Sequence, residues 1–171
     1  MSSQSLTDFA GHTLYLDTMA FYVFLRSSEP AAQRLFARIE TGDLRAFTSV
    51  LTFDELTYKL LLALVRNHYP GSPLEHLRDQ EQAMIAEFYP RLAPLLEQLL
   101  TYQHLTLVDV TTADVTRMGE NIGRYHLRPR DALHLAAMQA CNCFDLLSHD
   151  ADFDRVPTVQ RYHLDLSSHH S

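Results

Sequence analysis

Positive charge is scarce in this chain of 171 residues, and lysine is nearly absent. Fourteen basic residues face 21 acidic ones, for a formal net charge of −7, and Lys59 is the only lysine. The acid excess argues against indiscriminate polyanion binding but leaves room for a local basic patch. The other basic residues are arginines, whose planar fork suits phosphate and carboxylate partners. Cysteine is as sparse. Cys141 and Cys143 form one CxC within an apolar run, too little for a disulfide framework or a thiolate zinc site, so they read as buried thiols. The ten histidines form no HExxH, which disfavours histidine-based zinc chemistry. No apolar stretch is long enough to cross a bilayer. The opening MSSQSLTDFAGHTLYL lacks the basic region and long apolar run of a secretory signal. The expectation is a cytoplasmic protein without membrane attachment.

With neither repeats nor low-complexity tracts, the length favours one domain with a sizeable core. Its expected extent is 13–166, with a flexible start over 1–12 and a loose tail over 167–171. Strands are expected at 13–17, 44–49, 105–110, 144–149 and 158–163. Between them lie helical patterns at 19–28, 30–41, 51–69, 111–123 and 128–141. Pro30 and Pro129 suit first helical positions, and Gly42 and Gly123 suit helix ends. Residues 74–100 read as mostly helical, interrupted or kinked near Pro90 and Pro94. The helix over 51–69 is apolar on more than one face, so it needs cover on two sides, from its own chain or from a partner subunit. Alternating strands and helices imply an α/β sandwich with a largely parallel sheet.

The most informative stretch is RDALHLAAMQACNCFDLLSHDADFD, residues 130–154, where acids flank a run that otherwise reads as core. In a parallel α/β unit the helix leaves the carboxyl edge of the sheet and the next strand returns to it. A helix over 129–142 is roughly 20 Å long, and a strand over 144–149 recovers roughly 17–20 Å. Asp131 and Asp150 therefore belong on the same edge. Asp17, closing the first strand, and Glu55, in the first turn after the second, belong there too. Open α/β sheets place ligands on that edge, where strand order reverses. Acids gathered there repel one another unless neutralised, and Mg²⁺ or Mn²⁺ would do so through oxygen ligands. Each acid also has a local explanation. Thr52-Phe53-Asp54-Glu55 fits a capping box, Asp131 suits a helix N-terminus, and Asp17 and Asp150 suit loop starts.

YLDT at 15–18, TSVLTFDEL at 48–56, RPRDALHLAAM at 128–138 and LLSHDADF at 146–153 together resemble the PIN domain, and most closely the VapC-type ribonuclease toxins of toxin–antitoxin pairs. The motifs occur in family order and span nearly the whole chain. The resemblance implies a PIN-like three-layer α/β/α sandwich and an endoribonuclease using one or two Mg²⁺ or Mn²⁺ ions. It places Asp17, Glu55, Asp131 and Asp150 as catalytic metal ligands, Asp152 as an outer carboxylate, and Thr18 and Ser49 (or Thr48) in support. It also implies an RNA substrate, a cognate antitoxin protein and a homodimer. Met19 departs from the family, which often carries Asn or Ser there, and the segment 70–100 is long for a small toxin.

Arg128 and Arg130 flank the start of the Asp131 helix and are candidate phosphate contacts. Lys59, four residues after Glu55, is a candidate partner for it. His134, one turn beyond Asp131, is a candidate RNA contact or carboxylate brace, with a satisfied core histidine as the plainer reading. The alternatives are a non-catalytic PIN-like module that binds RNA or protein, and an aspartyl-phosphate phosphatase. The latter lacks its second acid, because Asp17-Thr18-Met19 puts methionine where that acid belongs.

Overall fold

Alternation along one short strand sets the layering. Within Thr13–Leu16, Leu14 and Leu16 point to one face and Tyr15 to the other, and all three are buried. A strand buried on both faces needs helices on both faces, and the computed structural model, which describes residues 3–166, supplies them. The strands are β1 (Gln4–Ser5), β2 (Thr13–Leu16), β3 (Arg45–Ser49), β4 (Leu105–Val108), β5 (Asp145–Leu147) and β6 (Gln160–His163). They form one parallel sheet in the order β1-β6-β5-β2-β3-β4. The helices are α1 (Thr18–Arg26), α2 (Pro30–Glu40), α3 (Leu51–His68), α4 (Pro73–Leu100), α5 (Thr112–Tyr125) and α6 (Pro129–Cys141). On the Leu14/Leu16 face, α1 to α4 contribute Phe21, Phe36, Leu56, Leu60 and Phe88 to one core. On the Tyr15 face, α6 contributes Leu135 and Met138 to a second core, flanked by Met118 and Ile122 of α5.

The topology fixes the position of the site. From β2 the chain moves outward to β3 and β4, then crosses back through α5 and α6 to β5 on the other side of β2. Strand order thus reverses between β2 and β5, and the crevice beyond their carboxyl ends is the ligand position of open α/β sheets.

Local signals work where expected at most element ends. Pro30 and Pro129 open α2 and α6, and Gly42, at φ 79°, follows α2. One expectation fails, since α5 runs past Gly123 and ends at His126 in the left-handed region (φ 54°). In the segment read as a flexible start, β1 pairs with β6 and so extends the sheet. In α4 the residue with non-helical backbone angles is Gln80 (φ −139°, ψ 36°), with Pro90 and Pro94 inside the helix. Pro90 and Pro94 are exposed, as is Ala86, so the carbonyls that lose a donor face water instead of the core. The apolar circumference of α3 is covered largely by the chain itself, since α3 packs on α1, α4 and β3. The expected tail, 167–171, lies outside the described residues.

Candidate metal centre

Each acid is placed by the end of an element. β2 stops at Leu16, and Asp17 becomes the N-cap of α1, its Oδ1 accepting the Thr18 amide at 2.6 Å. β5 stops at Leu147, and Asp150 caps the 3₁₀ turn Ala151–Arg155, its Oδ1 accepting the Asp152 amide at 2.9 Å. Ser148 ties the two strand ends together. Its hydroxyl donates to Asp17 Oδ2 at 2.7 Å and accepts the Asp150 amide at 3.0 Å. Asp131 sits in the first turn of α6.

Glu55 is not part of a capping box. The N-cap of α3 is Val50 and makes no side-chain cap, while Thr52 Oγ1 pairs with Thr48 Oγ1 at 2.7 Å. That leaves the Glu55 carboxylate free to face the strand ends. Thr18 Oγ1 donates to its Oε2 at 2.5 Å, and Arg130 Nε lies 3.0 Å from its Oε1. A capping box does form at α5, between Thr111 and Asp114.

The side chains form two adjoining sets. Ligand-type atoms of Asp17, Glu55 and His134 lie within 4.8 Å of one another, and so do those of Asp131, Asp150 and Asp152. The charge of Asp17 reaches Asp131, which joins the sets into one acidic edge. Their electrostatics are opposite. Burial would push the Glu55 carboxyl up, but the His134 ring, the Thr18 hydroxyl and the Arg130 guanidinium hold it down at about 2. Burial and the neighbouring charges of Asp150 and Asp17 raise Asp131 to about 6, with His134 opposing and Asp152 adding to the rise. A carboxyl held this high by its neighbours is one that a bound cation would relieve. An oxygen-rich donor set suits a hard divalent ion, so the residues present fit Mg²⁺ or Mn²⁺.

The surrounding residues differ from expectation in several places. Ser49 is buried, and its hydroxyl accepts the Leu51 amide at 3.2 Å, so it shapes the start of α3 beside Tyr15. Thr48 donates to the Leu16 carbonyl at 2.8 Å, locking β3 to the end of β2. Glu55 is paired by Arg130 rather than Lys59. Arg130 also reaches Asp54 at 3.4 Å. Arg128 is well exposed, 3.9 Å from Asp152, and Arg155 holds Asp152 at 2.9 Å. His134 is 3% exposed, too buried to touch RNA. It is not a satisfied core histidine either. Nδ1 lies 3.1 Å from the Tyr15 hydroxyl, while Nε2 is buried without a hydrogen-bond partner, 3.9 Å from Glu55 Oε1. Met19 packs against the core around α1. Sequence reasoning missed Ser148 and Tyr15. Ser148 had a readable signal, a hydroxyl two residues before an acid, as in a side-chain-capped turn; Tyr15 had none beyond strand alternation.

A family model described as PIN domain matches residues 14–159. No curated protein sequence matches the chain. Among solved structures, VapBC2 of Rickettsia felis, bound to a DNA fragment from its promoter, is similar at a TM-score of 0.54 and 14% identity, covering 88% of this chain and 98% of that one. The sarcin–ricin loop cleaving toxin VapC20 of Mycobacterium tuberculosis gives 0.53 and 16%, covering 86% and 97%. A toxin–antitoxin complex from Klebsiella pneumoniae gives 0.51 and 19%, covering 85% and 94%. At these identities the likeness is one of fold.

Proposed function

Because the chain belongs to the PIN domain family, we propose that it is a metal-dependent endoribonuclease that hydrolyses RNA phosphodiester bonds, acting as the toxin of a toxin–antitoxin pair. The observation that carries this reading is the convergence of Asp17, Glu55, Asp131, Asp150 and Asp152 on the carboxyl edge at the strand-order reversal. They come from widely separated segments and leave Asp131 electrostatically unfavourable without a counter-charge.

When bound, Mg²⁺ or Mn²⁺ would supply a Lewis acid for the phosphate and a means of activating water. The chain supplies the holding and positioning. Asp17, Glu55, Asp131 and Asp150 hold the ion or ions, and Asp152 stands outside them. Ser148 and the Thr18 amide fix both oxygens of Asp17, so its carboxylate is oriented before a ligand arrives. Thr18 and Arg130 do the same for Glu55, and its depressed pKa keeps it ionised at neutral pH. Arg128, at the rim with its guanidinium largely exposed and only 3.9 Å from Asp152, is the candidate phosphate contact least engaged by the acids, and Arg130 stands beside Glu55. With a net charge of −7, RNA approach depends on this local basic rim together with the ion.

The partners belong to the same proposal. The Rickettsia and Klebsiella neighbours were solved as toxin–antitoxin assemblies, which supports an antitoxin-like protein partner. Tyr58 of α3 and Leu74, Ile85 and Tyr89 of α4 remain exposed, which supports a homodimer or antitoxin contact on this face.

The test is cleavage of an RNA pool with Mg²⁺ or Mn²⁺, with and without chelator, using protein freed of any inhibitor. Metal-dependent cleavage that disappears in Asp17→Asn supports the proposal. Folded protein that cuts no RNA with either ion refutes it and leaves a binding module in its place.

A further inference from the structure

We propose that the Asp17–Glu55–His134 cluster binds a transition-series divalent cation through Nε2 of His134 as well as through carboxylate oxygens, so that His134 gives the site a preference for Mn²⁺ over Mg²⁺. This rests on the reading of the acidic edge as a metal centre and deepens it by naming the ligand that selects the ion.

The argument begins with an unsatisfied atom. His134 is 3% exposed, and its Nε2 is buried with no hydrogen-bond partner. Such a nitrogen has given up its water without a replacement, and native folds seldom leave one without a purpose. The ring cannot easily turn away. Nδ1 is 3.1 Å from the hydroxyl of the fully buried Tyr15, and the two rings meet edge to face at 79°. Nε2 is therefore held toward Glu55 and Asp17.

The His134 ring acts on the Glu55 carboxyl across space but makes no hydrogen bond to it. The separation from Oε1 is 3.9 Å, beyond hydrogen-bond reach. Both oxygens of Glu55 are already engaged, Oε2 by Thr18 and Oε1 by Arg130. Donors around a single ion, each bonded at about 2.1 Å, stand roughly 3–4 Å apart. The gap between Nε2 and Glu55 has the size of two ligands sharing a cation. The remaining feature is the outer partner. A ligating histidine donates its other ring N–H to a neighbour, which fixes tautomer and ring orientation; at 3.1 Å the Tyr15 hydroxyl oxygen can accept from Nδ1–H, the arrangement that leaves the lone pair on Nε2.

Ion preference follows from donor chemistry. Mg²⁺ favours oxygen and keeps its waters, whereas imidazole suits transition metals. The adjoining set of Asp131, Asp150 and Asp152 offers oxygen alone. The nitrogen thus belongs to the Asp17–Glu55–His134 group alone, and only that group discriminates.

The experiment uses the full chain with Mn²⁺ or Mg²⁺ alone as probe and no RNA. Pulsed electron paramagnetic resonance on the Mn²⁺-loaded protein should show a nitrogen coupling, which changes to the ¹⁵N pattern when the histidines carry ¹⁵N. His134→Gln should lose the coupling and about tenfold or more of Mn²⁺ affinity by calorimetry, with a smaller change for Mg²⁺. Tyr15→Phe should keep the coupling and weaken Mn²⁺ binding about tenfold. Bound Mn²⁺ with oxygen ligands only, or a coupling that survives in folded His134→Gln, overturns this inference and leaves the metal-dependent nuclease standing. Failure of the wild-type chain to bind either ion overturns both.

Discussion

Replacing Asp131 with asparagine should make the metal-free protein more stable while removing its activity. The Asp131 carboxyl is raised from the ordinary 3.8 to about 6 by burial and then by the charges of Asp150 and Asp17. Above pH 6 that rise is worth at most about 3 kcal/mol against the folded state. The side chain is only half-buried, and solvent screening lowers the figure to about 1.5 kcal/mol. Asparagine also forfeits the benefit of a negative charge in the first turn of α6, about 0.5 kcal/mol. The net gain is about 1 kcal/mol, or roughly 2–4 °C in melting temperature for a protein of this size. The pH dependence fixes the cause. A carboxyl raised in the folded state binds more protons folded than unfolded between about pH 3.8 and 6, so its penalty grows as pH rises through that window and is largely gone near pH 4. Thermal melts in chelator at pH 7.5 and pH 4 should show the advantage of Asp131→Asn at the first and little of it at the second. Saturating Mg²⁺ or Mn²⁺ should then reverse the order, because only the wild type gains full binding energy from the ion. An Asp131→Asn protein no more stable than wild type at pH 7.5, or equally advantaged at both pH values, would refute the electrostatic argument.

Glu55→Gln should fold, since Glu55 closes no capping box, yet lose at least about a hundredfold in RNA cleavage with either ion. Its folded pKa of about 2 means that the stability from Glu55 is present above about pH 4.5 and lost as pH falls through about 2, so acid titration of Glu55→Gln should be flatter in that interval. Ser148→Ala removes the hydroxyl from both Asp17 and the Asp150 amide. It should cost about 1–3 kcal/mol in urea unfolding and about tenfold in metal affinity by calorimetry. Arg128→Ala should weaken RNA binding in a catalytically silenced background and lower the slope of log affinity against log salt by about 0.7, as expected for one lost phosphate contact on a single strand. Ile85→Glu on the exposed α3–α4 face should leave cleavage intact and shift light scattering toward monomer; an unchanged mass would remove this face from the dimer.

Much of the fold is legible because its signals are local. Strand alternation at Leu14-Tyr15-Leu16, prolines opening α2 and α6, and acids closing strands all depend on residues a few positions apart. The edge on which Asp17, Asp131 and Asp150 meet is legible too, because helix rise and strand rise fix where a parallel unit begins and ends. The capping box expected at Thr52–Glu55 fails for one local and one non-local reason. Thr48, at the end of β3 just before the helix, pairs with the Thr52 hydroxyl, and Thr18 and Arg130, from distant segments, take the carboxylate. α4 continues through Pro90 and Pro94, both of which face water, and solvent accessibility follows from how α4 lies on its neighbours.

The sequence by itself determined the layered α/β class, the edge that carries the acids and the oxygen-rich character of the donor set, because periodicity and element length are properties of a continuous chain. Only the tertiary structure decided that β5 lies beside β2, that Ser148 joins Asp17 to Asp150, and that Tyr15 turns His134 toward Glu55. The Ser148–Asp17 and Tyr15–His134 contacts join residues more than a hundred positions apart; pairing of β2 with β5 makes the first and packing of α6 on the sheet the second, and neither leaves a pattern in the intervening sequence.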